Sequence, residues 1–288
     1  MGEEYRDLLN RIQSNYTTLS KGQKLIADYI FENYDKVAFM TASTLGKTVG
    51  VSESTVVRFA NTLGYGGYPK LQKALQESIK TKLTTVQRFE MSEDMADEKN
   101  LLKKVMNSDI DNIRKTIDEL DSELLYQVVN DIRNADKVYI CGLRSSMVLA
   151  QYLAFYLNFI LDDVHVVPSG ANDVYDQLIK INENDVLITI SFPRYSSKTF
   201  EVVKHAKNKG ATIVGITDSL LSPLVPMVKY TLTAKYNMST FIDSLVAPMS
   251  LINSLIIALS RHERDKLKHT FDELEQLWDE NEVYNKNK

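Results

Sequence analysis

Five short runs rich in β-branched residues punctuate the second half of the chain: KVYIC, VHVVP, DVLITIS, TIVGIT and KYTLTA, starting at residues 137, 164, 185, 212 and 229. Stretches of helical character, about a dozen residues or more, separate them. Strands joined by hairpins need only short turns, whereas strand–helix alternation of this kind builds a parallel sheet with helices on both faces. The first eighty residues contain no comparable strand. The expected architecture is an all-α domain followed by an α/β three-layer domain with a five-stranded parallel sheet. Its expected boundaries are residues 1–80 for the helical domain, 81–120 for a linker and connecting helix, 121–266 for the α/β domain, and 267–288 for a C-terminal helix and tail.

A chain of 288 residues suits two domains at roughly 100–200 residues each. The single cysteine, Cys141, allows no intramolecular disulfide and suits a reducing compartment. His165, His205, His262 and His269 show no ligand spacing, so neither a metal nor a cofactor is expected. The N-terminus lacks the basic-then-apolar order of a signal peptide, and no apolar run reaches membrane-spanning length. The expectation is a cytoplasmic protein with no membrane partner.

Net charge is −4, yet residues 1–82 carry eleven Lys/Arg against eight Asp/Glu, and residues 41–82 carry six against two. A basic excess confined to one short segment is a footprint of DNA-binding proteins. The same segment reads TASTLGKTVGVSESTVVRFANTLG, two short helices around a glycine turn. Ser20, Thr41 and Ser52 are candidate N-caps, Gly50 the turn and Gly64 a helix stop, while Pro69 fits the first turn of a following helix. In the helix after Ser20, Leu25, Ile26, Tyr29 and Ile30 are expected to share one face. A helix–turn–helix needs small and apolar residues where its helices touch; Leu45, Gly46, Val49, Val51, Val56 and Phe59 supply them. Ser52, Glu53, Ser54, Thr55, Arg58 and Asn61 then face outward, flanked by Lys47, Lys70 and Lys73. Such side chains reach phosphates and base edges, and Arg58 has the fork that pairs with guanine. The plainer alternative is an ordinary helical hairpin in a small bundle.

Two strand ends run into polar clusters. VYICGLRSSMV passes from a strand through Gly142 to Arg144, Ser145 and Ser146 at a helix start. DVLITISFPRYSSKTF ends its strand at Ser191 and continues through Arg194, Tyr195, Ser196, Ser197 and Lys198. Free amides at a helix N-terminus, serine hydroxyls and a guanidinium suit an anion such as a phosphate. Neither loop is a Walker or GxGxxG fingerprint, and serines at helix starts are also ordinary caps.

VYICGLRSS and LITISFPRYSSKT resemble the two phosphate-proximal loops of the SIS (sugar isomerase) fold, which is flavodoxin-like. TASTLGKTVGVSESTVVRFANTLGYGGYPKL is similar to the N-terminal helix–turn–helix of the RpiR/MurR family of bacterial regulators, and the two domains follow that family's order. The resemblance implies a transcription factor of carbohydrate metabolism that binds a double-stranded DNA operator and senses a sugar phosphate. It maps Ser145 and Ser146 onto the serines of the first SIS loop, and Ser191 and Ser196 onto the serine and threonine of the second. Arg144 stands where a glycine is usual, and FPRYS replaces a loop that normally holds a Ser-Gly pair. Ser239 and Thr240 are further candidates for touching the sugar.

The alternative function is a phosphosugar isomerase with an accessory helical domain. Glu201 and His205, four apart on the helix after the second loop, are its candidate bases. A helix–turn–helix reads one half-site, so a homodimer or homotetramer is expected. The apolar stripe Leu102, Val105, Met106, Ile110, Ile113 and Ile117, and the segment FIDSLVAPMSLINSLIIALS, are expected either to pair subunits or to join the core. The C-terminal RDKLKHTFDELEQLWDE reads as an amphipathic helix in which Trp278 packs.

Overall fold

Three of the N-terminal helices start on a side chain that accepts from one of their free amides. At α1 (Lys21–Val37), Ser20 accepts from the Gln23 amide while the Gln23 side chain accepts from the Ser20 amide, a reciprocal capping box. Thr41 caps α2 (Ala42–Val49) and Ser52 caps α3 (Glu53–Thr62) through their hydroxyls. Gly50 ends α2 at φ 75°, in the left-handed region where a side chain is strained, and Gly64 follows α3 at φ 84°. α4 (Tyr68–Ile79) carries Pro69 in its first turn. The computed structural model describes residues 8, 11–79, 85, 86, 88, 89, 100–168, 173–236 and 242–284.

The chain divides into two compact units, one built on these helices and the other on the strands. The helical unit closes over Ile26, Ala27, Ile30, Leu45, Val56, Phe59, Leu71 and Leu75, all fully buried. Tyr68 donates its hydroxyl to the Met40 carbonyl at 2.8 Å; burial pushes the phenol up to about 12, so it stays a donor. One expectation is corrected here. Leu25 is exposed and Ala27 takes its place in the core, because Leu25 lies ~140° around the helix from Ile30.

In the second unit α5 (Leu101–Glu119) and α6 (Ser122–Arg133) precede β1 (Val138–Gly142) and α7 (Ser146–Ile160). Then come β2 (Val164–Val167), the short α8 (Val174–Gln177), β3 (Val186–Ile190), α9 (Ser197–Asn208), β4 (Thr212–Thr217) and β5 (Tyr230–Thr233). α10 (Val246–His262) and α11 (Arg264–Glu280) follow. The five strands are parallel in the order β2-β1-β3-β4-β5. β1 and β3 are buried at every position, so their sequences are continuously apolar rather than alternating. Tyr139, Cys141, Leu187 and Ile213 pack with Val202, Val203 and Ala206 of α9. α7 lies against β1 and β2 with Leu149, Ala150, Leu153 and Leu157 buried.

The two apolar segments take different roles. α10 buries Ala247, Leu251, Ile252, Leu255 and Leu259 inside its own unit, so this segment joins the core. α5 leaves Leu102, Val105, Met106, Ile110 and Ile117 exposed and buries Asn112 and Thr116 instead. A hydrogen bond ties that inner face to the sheet: Thr116 accepts from the Lys235 amide at 2.8 Å, just after β5. α11 forms as expected, with Trp278 edge-on to Tyr284 at 5.3 Å. No helix among the described residues is long and apolar enough to cross a membrane.

Candidate functional site

The strand order fixes where a ligand can enter the α/β unit. β1 leads outward to β2, and β3 leads the other way through β4 to β5, so the crossovers after β1 and β3 flank a topological switch point. In open parallel sheets, ligands bind in that crevice. Both serine-rich loops sit there.

In the first crossover Gly142 ends β1 and α7 begins at once. A Cβ on Gly142 would meet the Ser146 carbonyl oxygen at impossible range and Ala150 Cβ at 2.9 Å, so only glycine lets the helix start this close to the strand. Arg144 follows at φ 57° with its side chain exposed. Ser145 holds the N-cap position of α7, and Ser146 is buried. In the second crossover Ser191 is buried, with its amide bonded to the Ile216 carbonyl at 3.0 Å. Arg194 sits at φ 66°, exposed, and Ser196 holds the N-cap position of α9.

One contrast separates these serines from ordinary caps. Ser20, Thr41, Ser52, Asp121 and Asp173 all accept an amide of the helix they open. Ser145 and Ser196 accept none. Two helices therefore meet the crevice without a side-chain cap and with the positive ends of their dipoles, although the Ser146 and Met147 amides of α7 bond to the Leu143 and Arg144 carbonyls of the turn before it.

Tyr195 plays a different part. Its hydroxyl donates to Asp218 Oδ1 at 2.6 Å, and Thr217 links that carboxylate to Ser222. Burial, then the neighbouring Asp218 carboxylate, holds the phenol well above its ordinary value, so it stays protonated. Tyr195 thereby pins the second loop to the end of β4. Ser239 and Thr240 lie outside the described residues.

Three neighbours were absent from the sequence reading. Ser145 Oγ donates to Asp243 Oδ2 at 3.2 Å, and the Tyr236 hydroxyl donates to Asp243 Oδ1. The Tyr236 ring stacks on Phe192 at 5.5 Å with 17° between planes. The only signal for Asp243 was an acid just before an apolar helix, which is commonplace.

Of the two candidate bases, Glu201 is engaged elsewhere, and the buried Nε2 of His205 has no hydrogen-bond partner among the described residues. Glu201 accepts from the Tyr175 hydroxyl at 3.1 Å and pairs with Lys198 at 3.3 Å, while His205 meets the Tyr175 ring edge-on at 5.7 Å.

In the helical unit α2 and α3 form the helix–turn–helix. A Cβ on Gly46 would lie 2.8 Å from the Val51 carbonyl oxygen, so glycine sets how closely the helices approach. Lys47, Ser52, Glu53, Ser54, Arg58, Asn61 and Lys70 are all exposed; Thr55 is half-buried. Ser52 Oγ meets the Ser54 and Thr55 hydroxyls at 2.9 Å each, so Thr55 completes the cap as well as bordering the outer face. Glu53 in the first turn complements the helix dipole. Arg58 lies along the surface, with Nε 3.3 Å from the Ser54 carbonyl oxygen.

Comparison with known proteins places this geometry. The family model of the helix-turn-helix domain, rpiR family, matches residues 6–82, and that of the SIS domain matches residues 131–258. An HTH-type transcriptional regulator of Haemophilus influenzae is 32% identical over 229 residues, covering 78% of this chain and 79% of the relative. The regulator HexR of Pseudomonas aeruginosa is 25% identical over 217 residues, covering 74% and 73%. The sugar isomerase domain of an RpiR transcription factor from Sphaerobacter thermophilus superimposes with TM-score 0.59 at 24% identity, over 62% of this chain and 99% of that one. The Vibrio vulnificus NanR protein complexed with ManNAc-6P gives 0.55 at 22% identity, over 94% and 98%. A helix–turn–helix unit followed by a five-stranded parallel SIS unit, in a chain this similar to such regulators, belongs to the RpiR family of HTH-type transcriptional regulators.

Proposed function

We propose that the SIS unit binds a phosphorylated sugar between the β1 and β3 crossovers, and that this binding modulates how α3 reads an operator. The observation that carries the reading is the pair of uncapped helix starts, Ser145 and Ser196, at the switch point. Ser145, Ser146, Ser191 and Ser196 supply hydroxyls and amides, and Arg144 and Arg194 are exposed cations beside them. The NanR structure that this chain resembles holds ManNAc-6P, which supports a phosphosugar as the ligand class. Lys47, Ser52, Glu53, Ser54, Thr55, Arg58, Asn61 and Lys70 form the proposed DNA face. Two half-sites call for a homodimer or a higher even assembly. The exposed apolar stripe of α5 is the surface proposed to pair the subunits.

The isomerase alternative needs a base that reaches a substrate carbon-bound proton. Glu201 is bonded to Tyr175 and Lys198 instead, which favours the sensor. A thermal-shift screen of the full chain against a panel of sugar phosphates, run beside a turnover assay on each hit, tests the reading. A saturable rise in melting temperature without turnover is the expected result, since a ligand selective for the folded state stabilises it. Turnover would establish the isomerase, and a panel without any shift would remove the phosphosugar.

A further inference from the structure

We propose that Asp243 is an internal stand-in for the ligand's anion at the first crossover, and that the effector binds by displacing it. The inference rests on the reading of the SIS unit as a phosphosugar site and adds how that site is filled beforehand.

The Ser145 hydroxyl that would hold a phosphate oxygen already donates to an anion, Asp243 Oδ2, at 3.2 Å. The other carboxylate oxygen accepts from Tyr236. Tyr236 is itself fixed: it is buried and stacked on Phe192, the residue after Ser191 in the second crossover. Asp243 therefore spans the crevice, bonded to the first loop directly and to the second through one aromatic ring. Ser145 gives no cap bond to α7; its hydroxyl turns instead to a carboxylate borrowed from 98 residues away, at the positive end of the helix dipole. A carboxylate near a helix N-terminus is favourable for the same reason a phosphate would be.

Two anions cannot share that position. An incoming phosphate meets a like charge at hydrogen-bonding range and must take over the hydrogen bond that Ser145 donates to Asp243 in order to bind. A neutral sugar brings no charge to replace the carboxylate at the helix dipole when Asp243 leaves, so the carboxylate selects for phosphorylated ligands. The displacement is also felt outside the crevice. The next residue, Ser244, donates its hydroxyl to Asp109 on α5, the helix through which the chain runs back in sequence toward the helix–turn–helix.

The test compares the full wild-type chain with Asp243→Asn, which keeps shape and removes the charge, and with Tyr236→Phe, which removes one bond holding the carboxylate. Isothermal titration uses inorganic phosphate and the sugar phosphate that gives the largest thermal shift. Asp243→Asn is expected to tighten phosphate binding by roughly tenfold or more, and Tyr236→Phe to tighten it by a smaller factor. If the wild-type chain binds the sugar phosphate but Asp243→Asn binds either probe no more tightly, Asp243 is a ligand contact or a bystander. The displacement is then wrong while the site stands. If no protein of the three binds phosphate or any phosphosugar, the site itself fails and takes this inference with it. Should Asp243→Asn not fold by circular dichroism, the direction of change in Tyr236→Phe decides by the same criterion.

Discussion

Gly142→Ala is expected to cost the SIS unit about 3 kcal/mol and to abolish its response to the effector. The added methyl would sit against the Ser146 carbonyl oxygen and Ala150 Cβ. Neither obstacle is the far end of a flexible side chain. The first turn of α7 must retreat from the strand, and Ser145 and Ser146 move with it. Overpacking of this kind typically costs ~1–3 kcal/mol, and more where backbone has to yield. For a unit of this size, 3 kcal/mol corresponds to a fall of about 6–12 °C in melting temperature. Differential scanning calorimetry of the full chain reads the fall, and repeating the scan with effector reads the loss of ligand stabilisation. A variant that melts at the wild-type temperature and still responds would mean that α7 does not start where the crossover geometry requires.

Phe59 and Arg58 are neighbours in α3, and their substitutions should separate fold from reading. Phe59 is fully buried in the core of the helical unit. Phe59→Ala leaves a cavity that costs about 3–5 kcal/mol, much of the roughly 5–15 kcal/mol that holds a domain together. Loss of helical signal at moderate urea and loss of all DNA binding are expected together. Arg58 is exposed, and its guanidinium Nε bonds to the Ser54 carbonyl of its own helix. Arg58→Ala should leave the urea midpoint within experimental error and weaken binding to an operator fragment selected by the full chain by about 1–3 kcal/mol. A gel-shift titration measures the second effect; unchanged affinity would take Arg58 out of the interface.

Much of this was legible in the sequence because it depends on neighbours along the chain. The caps Ser20, Thr41 and Ser52, the left-handed Gly50, and the five strands all follow from local chemistry and periodicity. The two crossovers were legible for the same reason: a strand, a glycine or serine, and a helix start are contiguous. What escaped depends on residues brought together by topology. Nothing within FPRYSS says that Tyr195 turns to Asp218 just past the next strand, 23 residues on. Nothing around Ser145 announces Asp243. Leu25 falls outside the core because it lies at the edge of the stripe, beyond the face that a small bundle buries; of the two roles open to the α5 stripe, its exposure leaves subunit pairing.

The central claim is that one molecule of phosphosugar in the SIS unit is felt by the DNA-reading helix. Linkage makes this measurable, because an effector that changes operator affinity must itself be bound with a different affinity by the operator-bound protein, by the same factor. Isothermal titration of the effector into the free chain and into its operator complex measures that factor directly. The account predicts dissociation constants that differ by roughly fivefold or more, matched by the effector's effect on operator binding; equal constants would contradict it.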